Sequence, residues 1–102
     1  MRFLIVEDIP PVFQEETALL HEVMPEALIF SCTCANEALE YAKKELLHVA
    51  FLDIELEEGG RNGIALAKQL KELQPHIHII FVTGFSEYAV EAFSIHATGY
   101  LL

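Results

Sequence analysis

Residues 3–8 read Phe-Leu-Ile-Val-Glu-Asp, a short apolar run that passes directly into two acids. Its four apolar residues do not alternate with polar ones, which indicates a strand covered on both faces, as in a parallel sheet. Similar short runs recur at 28–30, 49–52, 77–82 and 100–102. Each run is too short for the core of a helix. The sequence therefore predicts five buried strands.

Apolar residues at helical spacing lie between these runs and predict four helices. Ser86 is the expected N-cap of the fourth helix. The stripes are Val12, Leu19, Leu20 and Val23; Ala35, Ala38, Leu39, Ala42 and Leu46; Ile64, Ala67, Leu70 and Leu73; and Tyr88, Ala89, Ala92 and Phe93. The order βαβαβαβαβ predicts one α/β domain over residues 1–102, with helices on both faces of the sheet. No fifth helix follows the last strand, so we expect the domain to be incomplete at its C-terminal end, or its bare face to be covered by another copy.

Composition limits the possible partners. Sixteen acidic against six basic residues give a formal charge of −10, while 53% of the 102 residues are hydrophobic. The apolar content predicts a folded chain, and the acidic charge disfavours nucleic acid and anionic lipid as partners of this segment. The apolar start runs into Glu7 and Asp8, which suits neither a signal peptide nor a membrane span, so we expect a cytoplasmic protein.

The expected strand ends carry the acids and the polar residues of interest. Glu7 and Asp8 follow the first strand, and Asp53 ends the third. Thr83 and Gly84 end the fourth strand. In open α/β sheets, binding sites gather beyond the carboxyl ends of the strands. We therefore expect these residues to converge.

Three converging carboxylates need a counter-charge. At about 6 Å and an effective dielectric constant of ~20, each pair repels by roughly 3 kcal/mol. Mg²⁺ accepts one or two carboxylates while it keeps room for a phosphate group, and a carboxylate beside it is a competent nucleophile toward phosphorus. The pattern predicts a magnesium site and phosphoryl transfer to an aspartate.

The motifs F-L-I-V-E-D (3–8), F-L-D-I-E (51–55), I-I-F-V-T-G (79–84) and G-Y-L-L (99–102) resemble the receiver domains of bacterial two-component response regulators. The resemblance covers essentially the whole chain. Thr83 follows Asp53 by 30 positions, as in that family. The stretch 81–102 is most similar to receivers attached to LytTR-type DNA-binding domains.

The resemblance implies a flavodoxin-like sheet of order 2-1-3-4-5 and a signalling phosphoacceptor rather than an enzyme. Asp53 would accept a phosphoryl group from a histidine kinase. The residues implied for Mg²⁺ are Asp8 and Asp53 directly, the backbone carbonyl of Glu55, and Glu7 through water. The residues implied for phosphoryl binding and switching are Thr83, Gly84 and Tyr100. A homodimer is possible, and DNA would be contacted only through residues beyond Leu102.

The sequence departs from the family pattern in two places. The lysine that receivers place three residues after the switch aromatic would lie beyond Leu102, so no catalytic lysine is present in these 102 residues. We expect this chain to bind a phosphoryl group more weakly than a version extended through that position. The loop 55–63 is longer than usual, and we expect Glu57, Glu58 and Arg61 in it to alter access to Asp53.

Two other function classes stay open on the residues. A receiver-like interaction domain that never takes phosphate would also explain the fold. A phosphatase of the haloacid dehalogenase type also uses a strand-end aspartate with Mg²⁺, but its motif is D-x-D, whereas here Asp53-Ile54-Glu55 follows the third strand. Taken singly, Asp8 fits a helix N-cap, Thr83 an ordinary strand residue and Tyr100 a half-buried strand aromatic.

The remaining polar residues receive structural interpretations. Cys32 and Cys34 are expected to be reduced thiols in or near the core. His76 and His78 fit entry to the fourth strand better than a metal site. Several glutamates are expected on solvated helix faces: Glu15, Glu16, Glu37, Glu40, Glu45 and Glu72.

Overall fold

The computed structural model describes residues 1–7, 9–56, 62–84 and 87–101, and the backbone alone at Pro10, Phe13 and Asn62. Five strands alternate with four helices in the described residues. The strands are β1 (Arg2–Val6), β2 (Leu28–Cys32), β3 (Val49–Leu52), β4 (His78–Val82) and β5 (Gly99–Leu101). The helices are α1 (Pro10–Val23), α2 (Ala35–Lys44), α3 (Asn62–Leu73) and α4 (Ala89–Ser94).

All strand pairs are parallel, and the sheet order is β2-β1-β3-β4-β5, which confirms the predicted fold. The register aligns Val6 of β1 with Leu52 of β3, and Leu52 with Phe81 of β4. All three side chains are buried. Because the three central strands end at one level, the residues that follow them meet at one edge of the sheet.

The main core lies between the sheet and α2, α3 and α4. It contains every second side chain of the central strands together with small residues of the helices, such as Ala38, Ala67 and Ala92. Phe3 and Ile5 of β1 are also buried but lie outside this cluster, as expected for side chains that point to the opposite face. On that face α1 packs against β1. Both faces of the sheet therefore carry helices.

Parts of the apolar stripes predicted for the helices are wrong, and Leu73 of the third stripe and Phe93 of the fourth are 43% and 53% exposed. In α1, Leu19 and Val23 are 62% and 68% exposed, so the apolar stripe predicted there is not the buried face. Glu16, expected on a solvated face, is instead half-buried, like Val12. In the second helix, Leu46 lies beyond the last helical residue and is 60% exposed. Periodicity locates a helix but does not distinguish its inward face from its flank.

Gln74, just after α3, joins three parts of the fold. Its side-chain oxygen accepts the Leu47 N–H at 2.8 Å, and its amide nitrogen donates to the carbonyls of Ala42 and Glu45 at 2.8 and 2.7 Å. The side chain thereby satisfies backbone groups at the end of α2 and in the loop that enters β3, which would otherwise lack partners.

The structural interpretations of the cysteines and histidines agree with the structure. Both cysteines are free thiols, and burial is the main cause that raises the pKa of Cys32 to about 12. Cys34 donates to the Glu37 carboxylate at 3.3 Å. His78 contacts the Thr98 hydroxyl at 3.0 Å at the start of β4.

Some predicted features fall outside the described residues: Asp8, the loop residues Glu57, Glu58 and Arg61, the Ser86 cap and Leu102. The structure places Tyr88 at the N-cap position of α4. Across the described part of the chain, no helix combines the length and apolar character needed to cross a bilayer.

Candidate functional site at the strand ends

A cavity of about 280 Å³ opens where β1, β3 and β4 end. The sheet order makes these three strands neighbours, so the residue after each strand reaches the same place. The structure thus brings together four of the predicted site residues. The described residues that line the cavity are Glu7, Ile9, Val12, Asp53, Val82, Thr83 and Gly84.

Among the described acids that line the cavity, Glu7 is the more buried, with 3% of its surface exposed. Its Oε1 accepts the backbone N–H of Ile9 at 3.2 Å, which holds the carboxylate at the turn into α1. A charged carboxylate is costly to bury unless positive charge or hydrogen bonds compensate it. Glu7 therefore brings a negative charge to this end of the sheet, which would attract a cation.

Asp53 is half-buried at the end of β3. Its Oδ1 accepts the N–H of Glu55 at 3.2 Å, which restrains the rotation of the carboxylate. Gly63 in the first turn of α3 supports the same segment, because its N–H donates to the Ile54 carbonyl at 2.8 Å. Sequence reasoning placed Gly63 at the end of the loop 55–63 and assigned it no role, and a glycine directly before a helical pattern was the available signal.

Thr83 and Gly84 form the opposite wall of the cavity. Thr83 is 5% exposed, and its N–H donates to the Leu101 carbonyl at 3.0 Å. Gly84 is exposed, and a Cβ built on it would meet no atom within 4 Å. The backbone of Thr83 is therefore bonded to β5, whereas Gly84 has open space beside its Cα.

Tyr100 is not among the described residues that line the cavity. Its half-buried ring lies 6.2 Å from that of Phe81, centroid to centroid. Burial raises the pKa of its hydroxyl, and a hydrogen bond with the backbone of Tyr88 partly opposes this. In this structure the predicted switch aromatic packs on Phe81 and bonds to the backbone of Tyr88, the N-cap residue of α4, and the negative charge of Asp53 makes a small contribution to its raised pKa.

Glu16 is a second site-related residue that sequence reasoning missed, after Gly63. It lies on α1 four residues after Val12, which lines the cavity. Burial, with a smaller contribution from the negative charge of Asp53, raises the pKa of the Glu16 carboxyl from 4.5 to about 7. The charge of this helix residue therefore interacts with the carboxylate at the end of β3.

The donor set fits Mg²⁺, a hard cation that prefers oxygen ligands. Glu7 and Asp53 line one cavity, and burial of Glu7 gives a cation an electrostatic role there. The third predicted carboxylate, Asp8, lies outside the described residues. Among those that are described, no three His, Cys, Asp or Glu side chains form a group that could hold a metal ion.

Comparisons with known proteins identify the family of this chain. The response regulator receiver domain family matches residues 3–102. The chain is similar to the sensory transduction protein LytR of Staphylococcus haemolyticus, with 36% identity over all of this chain and 39% of that protein. It spans about two fifths of the length of the curated relatives it matches.

Solved structures show the same fold. The response regulator TrrA from Thermotoga maritima, in complex with Mg²⁺-BeF, has a TM-score of 0.84 and 25% identity, covering 99% of this chain and 84% of that one. A response regulator from Burkholderia pseudomallei, with a phosphorylated aspartic acid, a calcium ion and citrate, has a TM-score of 0.81 and 28% identity, covering 98% of this chain and 58% of that one. With the family match over nearly every residue and acids at the ends of the strands, the chain belongs to the receiver domains of two-component response regulators.

Proposed function

We propose that this chain is a phosphoacceptor that takes a phosphoryl group from a histidine kinase onto Asp53. The observation that supports this most strongly is the shared cavity of Glu7, Asp53 and Thr83 at the ends of three adjacent strands. In the transfer, the N–P bond of a phosphohistidine breaks and an O–P bond to Asp53 forms. The histidine nitrogen keeps the electron pair of the broken bond.

The carboxylates prepare the site for this reaction. Asp8, Asp53 and the backbone carbonyl of Glu55 would hold Mg²⁺, with Glu7 acting through water. When bound, the ion would neutralise negative charge on the transferring group. The N–H of Glu55 orients the attacking carboxylate through its bond to Oδ1 of Asp53.

The residues that we propose for phosphoryl binding are Thr83 and Gly84, which line the cavity together with Asp53. The Thr83 hydroxyl and the Gly84 N–H would donate to its oxygens, which are strong acceptors. The Thr83 backbone is bonded to Leu101 of β5, so a shift of Thr83 toward the phosphoryl group would pull on the strand that carries Tyr100. We propose this linkage as the route by which the switch aromatic turns inward.

The proposed biological setting follows the relatives. We propose that residues 1–102 form one receiver domain of a cytoplasmic regulator with a sensor histidine kinase as partner. Any contact with DNA would be made by a part of the protein beyond Leu102, because this segment carries a charge of −10. Pairing with a second copy is part of the same proposal.

Mass spectrometry tests the phosphoacceptor directly. Incubation with Mg²⁺ and acetyl phosphate should add one phosphoryl group, and the Asp53→Asn variant should add none. Glu72→Gln, which removes an exposed acid of α3, is the control and should react like the unaltered chain. Absence of the phosphoryl adduct on the unaltered chain would favour a receiver-like interaction domain instead.

A further inference from the structure

The observation behind this inference is the position of Glu16 relative to the cavity. Val12 of α1 lines the cavity with Asp53. Glu16 follows four residues later, so it lies on the same side of the helix and about 6 Å further along the axis. Like Val12, its side chain is half-buried, whereas Glu15 beside it is exposed. Glu16 therefore lies on the half-buried side of α1, one turn after the residue that lines the cavity.

The electrostatics agree with this placement. Partial burial removes water that would otherwise screen the Glu16 carboxylate. Burial is the main cause that raises the pKa of Glu16, and the negative charge of Asp53 raises it further. An interaction between two charges is mutual, so the charge of Glu16 also contributes to the potential at Asp53.

We propose that Glu16 is a positioning residue that acts through its charge, strengthening the binding of a divalent cation at Asp53 and weakening the binding of a phosphoryl group there. The inference rests on the proposed function of Asp53 and extends it to α1. Glu16 sets the balance between the two ligands of opposite charge without touching either of them.

The charge of Glu16 should affect the two ligands in opposite ways, which a purely structural role would not do. A negative charge nearby attracts Mg²⁺ and repels a phosphoryl group or an analogue such as fluoroberyllate. Removing the charge should therefore change the two affinities in opposite directions. From Coulomb's law at partly screened distances, we expect each dissociation constant to change by about two- to fivefold. A packing defect at α1 would weaken both.

Isothermal titration of four proteins tests the proposal: the unaltered chain, Glu16→Gln, Glu16→Asp and the matched control Glu15→Gln. Each is titrated with Mg²⁺ alone and then with fluoroberyllate at saturating Mg²⁺, at about pH 8, where Glu16 is charged. Glu16→Gln should bind Mg²⁺ more weakly and fluoroberyllate more tightly. Glu16→Asp keeps the charge and should resemble the unaltered chain, as should Glu15→Gln.

Each outcome decides a separate question. Equal affinities for Glu16→Gln and Glu15→Gln, or a loss of both affinities in Glu16→Gln, would overturn the role of Glu16. If the unaltered chain bound Mg²⁺ but not fluoroberyllate, the proposed function would fail, and the Mg²⁺ titrations would still decide about Glu16. Raising the salt to about 0.5 M should shrink the differences, because ions screen the interaction.

Discussion

Gly63 lies so close to the backbone of Asp53 that position 63 has no room for a side chain. A Cβ built on Gly63 would overlap the backbone oxygen of Asp53 and lie 2.7 Å from the Cα of Ile54. The N–H of Gly63 also donates to the Ile54 carbonyl at 2.8 Å. The start of α3 is thus packed directly on the segment that carries the proposed phosphoacceptor.

Gly63→Ala should displace this segment. The added methyl group meets backbone rather than a flexible side chain, so we expect a loss of about 2–3 kcal/mol in the free energy of unfolding. Urea unfolding measures this change, and a Mg²⁺ titration of the folded variant should show weaker binding because Asp53 has moved.

The matched control is Gly84→Ala, since a Cβ at Gly84 meets no atom within 4 Å. Its free energy of unfolding, measured in urea, should stay within about 0.5 kcal/mol of that of the unaltered chain. Equal stability of the two alanine variants would contradict the close packing of Gly63.

Thr83→Val should separate phosphoryl binding from metal binding. Valine keeps the shape of this buried residue but removes the hydroxyl that we propose as a donor to the phosphoryl oxygens. We expect fluoroberyllate affinity to fall by about tenfold, the equivalent of one hydrogen bond to a charged group, with Mg²⁺ affinity unchanged. Thr83→Ser keeps the hydroxyl and should retain most of the affinity; a loss as large as that of valine would argue against the donor role.

The raised pKa of Glu16 predicts how stability depends on pH. The folded state holds a proton on this carboxyl up to about pH 7, whereas the unfolded state releases it near 4.5. The folded state therefore binds more protons in this interval, and its stability falls as the pH rises through it. Glu16→Gln removes this loss of stability. Because Glu16 is only half-buried and solvent screens its charge, we expect the variant to be more stable by about 1 kcal/mol at about pH 8 and by little at about pH 4.

Thermal unfolding of Glu16→Gln and Glu15→Gln at both pH values measures the effect. The exposed Glu15 carboxylate should contribute no comparable dependence. If the two variants differed from the unaltered chain by the same amount at each pH, the burial of Glu16 would not be the cause.

Gln74→Leu should destabilise the fold without changing the site. Leucine fills a similar volume but leaves the Leu47 N–H and two carbonyls without their partner. Since each buried polar group left unsatisfied costs about 1–3 kcal/mol and three groups are affected, we expect a total loss of at least about 3 kcal/mol in the free energy of unfolding, measured in urea. Gln69→Leu, at an exposed position of α3, is the control and should lie within about 0.5 kcal/mol of the unaltered chain. Mg²⁺ affinity should be the same in both folded variants. If Gln74→Leu lost no more unfolding free energy than Gln69→Leu, the three hydrogen bonds of Gln74 would be contradicted.

The local sequence pattern was sufficient to locate the strands of the fold. The apolar run at 49–52 coincides with β3, and the run at 77–82 begins one residue before β4. Continuous apolar runs carry this information because a strand buried on both faces admits no polar alternation. The order of the strands came from the motifs at their ends, through resemblance, and not from periodicity.

For the site, the sequence by itself determined which residues follow the strands: Glu7, Asp53 and Thr83. Only the tertiary structure decided that Glu16 is half-buried and interacts with Asp53, and that Gly63 packs against the same strand end. The reason is physical. Strand ends converge wherever parallel strands are adjacent, so chain order and chemical type identify them, whereas the inward side of a helix and a close backbone contact depend on packing between segments distant in sequence.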